Sequence, residues 1–164
     1  MNVFWNACSH SLKLPKKEAV FALNRIGMDI VVVYMFLLLA FASIPGLAEQ
    51  IISNQDESQL HTFFLLIFFF IFYYLIIVII VFGLLSLLAY IGTLIAKALG
   101  RKLQFGLLWK MTAFATTIPL LAFTILSFFL PLTVLFLSIA SAFILFILIR
   151  IILIYPKRKQ PHKR

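Results

Sequence analysis

The sequence predicts an all-α integral membrane protein: four transmembrane helices preceded by an N-terminal interfacial amphipathic segment, with both termini on the cytoplasmic side. Three observations predict it. The 164 residues are 64% apolar and only 12% charged, with a mean hydropathy of +1.14. Soluble domains average about half apolar and a quarter charged, and a compact fold of this length cannot bury so much apolar surface. Four apolar blocks are each long enough for a hydrocarbon core, which takes roughly 20 helical residues. The basic residues fall in alternate segments between those blocks.

The chain opens with residues 1–25, a cytosolic or interfacial segment. Phe4, Trp5, Cys8 and Leu12 recur at helical spacing, Pro15 breaks the run, and Lys16-Lys17-Glu18 open a second short helix. Such a pattern suits an amphipathic element on the membrane surface. Residues 26–155 form the transmembrane domain, with spans at about 26–48, 62–96, 106–129 and 132–155. The first ends at Pro45-Gly46. A signal-peptidase site at Gly46-Leu47-Ala48 is disfavoured, because about 29 residues precede the apolar run and Asp29 sits at its edge.

The second block is too long for a simple span. Its 35 residues would extend about 52 Å as a straight helix at 1.5 Å per residue, beyond a ~30 Å core even when tilted. One Gly without polar neighbours cannot make a hydrated turn, so Gly83 is read as a bend in one long helix. The third and fourth blocks are separated by Phe128 to Thr133, where Pro131 starts the next helix. Pro119 lies inside the third block and crowds the Ala115 carbonyl, so a kink is expected there. Thr116 and Thr117 are placed to satisfy freed backbone groups. Residues 156–164 are a basic cytosolic tail.

Orientation follows from charge. The N-terminal segment holds four Lys+Arg, the stretch between spans two and three with its flanks four (Lys97, Arg101, Lys102, Lys110), and the end, from Arg150 onward, six. The other two loops hold none, and Glu49, Asp56 and Glu57 fall in the loop after span one. Cationic segments stay inside, so both termini are cytoplasmic. The net charge of +9 is then a topology signal that also attracts anionic headgroups, not a nucleic-acid footprint.

Ionisable groups inside a bilayer are functional candidates by default. Asp29 lies about a turn inside span one, four residues after Arg25, and Arg150 about one and a half turns before the end of span four. They are placed to form an interhelical pair or an anion-accepting cavity. The simpler reading has Arg150 snorkelling and Asp29 pairing with Arg25. Tyr73 and Tyr74 sit mid-span, expected to hydrogen-bond a neighbouring helix, with a transport path as the alternative. Gly92, Ala96 and Gly100 form a small-residue row that admits close helix packing, and Ser138 and Ala142 repeat the spacing.

Nothing in the chain spells catalysis. Cys8 is the single cysteine, so no internal disulfide or CxxC motif exists. His10, His61 and His162 lack partners at metal-ligand spacing, and no nucleophile-elbow, zincin or phosphate-loop motif is present. No cofactor and no enzymatic activity are expected. The expected partners are lipid and either another membrane protein or a second copy of the chain.

Two segments carry a resemblance. The first is Ser11-Leu12-Lys13-Leu14-Pro15-Lys16-Lys17 with Asn24-Arg25-Ile26-Gly27 and the span ending in Ile44-Pro45; the second is Leu108 to Pro119. Together they cover about a third of the chain and resemble a bacterial membrane-protein family known as domain of unknown function 1189, within the Yip1-like superfamily. The resemblance implies a protein of the bacterial cytoplasmic membrane, non-enzymatic, with an assembly, regulatory or accessory role. Relatives carry a sizeable outer domain after the first span, where this chain has about 13 residues, Glu49 to His61. An accessory role in maltodextrin uptake is attributed to some of them, and no residue here supports sugar binding. The alternative to an accessory role is a small transporter or channel subunit working as an oligomer.

Overall fold

Every element of the computed structural model, which describes residues 2–53, 59–127 and 134–156, is helical. The chain runs α1 (Asn2–Ser11), α2 (Lys17–Asn24), α3 (Met28–Ala42), α4 (Ile44–Ser53), α5 (Gln59–Phe68), a wide π-helical segment (Phe69–Tyr74), α6 (Leu75–Ala98), α7 (Phe105–Ala115), α8 (Thr117–Leu126) and α9 (Val134–Ile154). Among the described residues four stretches are long and apolar enough to cross a membrane: Met28–Ile52, Phe63–Ala98, Phe105–Leu126 and Phe136–Ile154. Asp56, Glu57, the expected hairpin at 128–133 and the tail from residue 157 lie outside the described residues.

Three of the spans depart from a continuous α-helix. Span one does not stop at Pro45-Gly46. It interrupts at Ser43, whose hydroxyl donates to the Ala40 carbonyl at 2.8 Å, and resumes as α4. Proline is tolerated in a first turn, where its missing N–H is not needed. Span three interrupts at Thr116, three residues before Pro119, as the proline ring requires. In span two the departure from α geometry is at Phe69–Tyr74. Gly83 lies in regular helix with open space around it.

The core is built on α7. Leu108, Trp109 and every residue from Met111 to Ala115 are buried, as expected of a helix enclosed by others. It packs against α6, α9, α2, α3 and α1. Within the chain 61% of an 18-residue apolar stretch of span three is buried, against 11% of such a stretch of span two. The N-terminal segment is a pair of helices folded onto the bundle: α1 packs on α2, α7 and α8, and α2 on α7 and α9. Ala7, Ser11, Leu14, Ala19, Val20 and Leu23 are buried, while Trp5 remains 77% exposed.

Candidate functional site

Two groups of side chains and one cavity stand out. The first group gathers where α2, the start of α7 and the ends of α6 and α9 meet. The Lys110 ammonium donates to the carbonyls of Asn24 at 2.8 Å and Ile26 at 2.9 Å. It thereby satisfies acceptors at the end of α2, where carbonyls lack helical partners and the helix dipole favours a cation. Arg101 does the same for α9, Nη1 donating to the Ile152 carbonyl at 2.7 Å. Gly100 makes that reach possible. At φ 67° it caps α6, with Arg101 N–H bonded to the Ala96 carbonyl at 2.9 Å and Gly100 N–H to that of Lys97 at 3.0 Å. This left-handed cap is a conformation glycine adopts without strain. Tyr155 packs on Phe21 with ring centroids 5.7 Å apart. Its hydroxyl and Arg101 Nε are buried without hydrogen-bond partners among the described residues, and burial pushes the Tyr155 phenol above its ordinary value of 10.0.

The second group is uncharged. The Tyr34 and Thr117 hydroxyls share a buried hydrogen bond of 2.9 Å, tying α3 to α8. The Cys8 thiol and the Ser11 hydroxyl lie beside the same phenol, so α1 is anchored against two spans. Ser11 also donates to the Ala7 carbonyl at 2.6 Å. Thr116, expected to compensate the proline break, donates one turn back to the Thr112 carbonyl at 2.8 Å. Thr117 joins Tyr34 instead.

The cavity, about 240 Å³, lies at the other end of the bundle. Its walls are the end of α3, the segment from Tyr73 to Leu88, the part of span three from Thr116 onward, and the first half of α9.

The remaining predicted residues are dispersed. Asp29 sits in the first turn of α3, where a carboxylate suits the positive helix end, and folds back against Gly27. Arg25, Asp29 and Arg150 are all exposed, and among the described residues no ion pair joins any two of them. Tyr74 donates to the Phe36 carbonyl at 2.8 Å, joining spans two and one. Tyr73 borders the cavity beside Gly46. The small-residue row divides: Gly92 and Ala96 are buried, with Gly92 in contact with Leu148 of α9, whereas Gly100 is the helix cap just described. Ala142 is exposed.

Sequence reasoning missed Lys110, Arg101 and the Tyr34–Thr117 pair. Lys110 lies five residues inside α7, further from its helix end than Asp29, the second residue of α3. Treating it as an ionisable group in a span would have singled it out. Among the described residues no cluster of His, Cys, Asp or Glu could hold a metal ion.

A family model described as a protein of unknown function (DUF1189) matches residues 46–156, two thirds of the chain. Of the two segments that carry the resemblance, Leu108 to Pro119 falls inside the match and the opening one ahead of it. No curated protein and no solved structure matches the chain.

Proposed function

The chain belongs to the DUF1189 family, and from that premise we propose that it is a non-enzymatic scaffold or accessory subunit acting through helix–helix and lipid contacts. The setting is a bacterial cytoplasmic membrane, with both termini inside, in keeping with the Yip1-like superfamily. The exposed side of α1, with Phe4 and Trp5, and Leu12 just after it, rests at the inner interface, and the basic face meets anionic headgroups.

The observation that carries this reading is the exposure of span two. Only 11% of an 18-residue apolar stretch of it is buried within the chain, and Phe68, Phe72, Ile76, Ile79 and Leu87 all point away from the bundle. A continuous apolar face of that kind is a surface for lipid or for a neighbouring helix. A transporter would need Asp29, Arg150, Tyr73 and Tyr74 converging on one wet cavity. Of these only Tyr73 borders the cavity, and that cavity is apolar.

The test is mild crosslinking and native-detergent purification of the tagged chain, with mass spectrometry of what accompanies it. A stoichiometric membrane protein, lost when Phe72→Ala and Ile76→Ala are combined, is the expected result. Recovery of self-crosslinked chain alone, together with solute flux by the purified chain in proteoliposomes, would replace this reading with an oligomeric carrier or pore.

A further inference from the structure

The cavity between the four spans has a chemistry of its own. Leu39, Val81, Leu85, Leu120 and Ile144 dominate its walls, and Phe123 and Phe136 close one side with ring centroids 5.6 Å apart. Four hydroxyl-bearing residues border it: Ser43, Thr116 and Ser141 are engaged by the backbone of their own helices, with Ala40, Thr112 and Leu137 at 2.8 Å in every case, and the Tyr73 hydroxyl lies beside Gly46. The wall that span three contributes is the segment from the break onward, Thr116, Pro119, Leu120 and Phe123. The hollow thus lies beside the proline interruption.

Size and polarity narrow the occupant. An ordered water needs two to four polar partners, whereas a dry engineered cavity of roughly 150 Å³ takes benzene. At about 240 Å³ this one has room for more hydrocarbon than that. A helix with its side chains is about 10–12 Å across and does not fit. A single flexible hydrocarbon chain does, and the surrounding bilayer supplies it. We propose that the cavity holds one acyl chain of a membrane phospholipid, so that a lipid is built into this end of the bundle. This goes beyond the accessory reading and stands or falls separately from it.

The test uses the full chain in detergent with a trace of phospholipid bearing a diazirine midway along one acyl chain. Detergent in excess covers the outward faces, so only a retained lipid gives site-specific adducts. After illumination, adducts on Val81, Leu120 and Ile144 are expected at several-fold the level on Ile79 and Ile139, which are 63% and 67% exposed and face outward. Unlabelled phospholipid in excess should lower the cavity signal. Ala140→Trp, which fills the hollow, should bring it down to the outward level; if that variant does not insert, Ser141→Leu serves instead. Equal labelling of cavity and outward positions, or cavity labelling that survives filling, overturns the proposal. So does crosslinking of the lining residues to a second copy of the chain in place of lipid.

Discussion

The two ends of the bundle are held together by different physics. Where α2, α6, α7 and α9 meet, cations reach across to helix ends: Lys110 to Asn24 and Ile26, Arg101 to Ile152. Buried small residues, Gly92 and Ala96, bring α6 and α9 together there. Where α3, the π-helical segment, α8 and the start of α9 meet, the bonds between segments are the uncharged ones of Tyr74 to Phe36 and Tyr34 with Thr117. Ser43, Thr116 and Ser141 bond to their own helices, and a cavity of about 240 Å³ remains. The contrast teaches that one end is fixed by charge-assisted bonds from cations to the ends of other helices. The other relies on apolar surface that the surrounding hydrocarbon can complete. A packed core of interior density leaves no such void, so the hollow end is the adaptable one.

The largest effect should come from Lys110→Met. It removes two charge-assisted hydrogen bonds and leaves two carbonyls without their donor, a loss of about 3 kcal/mol. Unfolding in a detergent titration should shift markedly, and the α1–α2 pair should become sensitive to protease, whereas Lys102→Met at an exposed site should change neither. Equal behaviour of the two variants would erase the distinction between the ends.

Next comes a pair of glycines. Gly92→Leu collides with Leu148 and should cost about 1–3 kcal/mol through overpacking. Gly83→Leu meets open space in a regular helix and should be neutral, or more stable by up to about 1 kcal/mol from helix propensity. Thermal unfolding of the two purified variants decides this, and a Gly83 variant as damaged as the Gly92 one would place a hinge at Gly83 after all.

A smaller loss, about 1 kcal/mol, is expected for Tyr34→Phe, since the Thr117 hydroxyl loses its partner. Thr117→Val in the Tyr34→Phe background should then add little. Additive losses in that cycle would mean that the two hydroxyls do not act together.

The smallest effect concerns Tyr155. Its buried phenol has no partner among the described residues and is held above 10.0, so the folded state favours the neutral form. A raised folded pKa gives stability that is present below the unfolded value and lost as pH rises through the folded one. Tyr155→Phe removes a buried hydroxyl without a partner and should be at least as stable near neutrality, and the wild-type chain should lose further stability relative to it above pH ~10. Parallel curves across that range would show that the phenol is not buried from its ionised form.

Four stretches long and apolar enough to cross a membrane and the break before Pro119 were legible in the sequence. Hydrocarbon length and the proline ring act locally and leave their mark in composition and spacing. The Gly92-Ala96-Gly100 row was legible as spacing but not as roles. Gly92 is explained by Leu148 and Gly100 by its φ of 67°, and neither a distant neighbour nor a backbone angle is written in a run of small residues. The same limit applies to Asp29 and Arg150, whose similar depth suggested a pair and whose exposed positions carry none.

By itself the sequence determined that this chain needs a membrane and how many times it can cross one, because the transfer of apolar residues is a sum over local segments. It also fixed where cations would gather, though not what they would touch. Only the tertiary structure decided that Lys110 and Arg101 cap the ends of other helices, that Cys8 and Ser11 of α1 lie beside the Tyr34 phenol that Thr117 holds, and that the far end stays hollow. Those outcomes depend on which carbonyls and side chains come within about 3 Å of one another. That is set by the packing of all the helices together and not by any one of them.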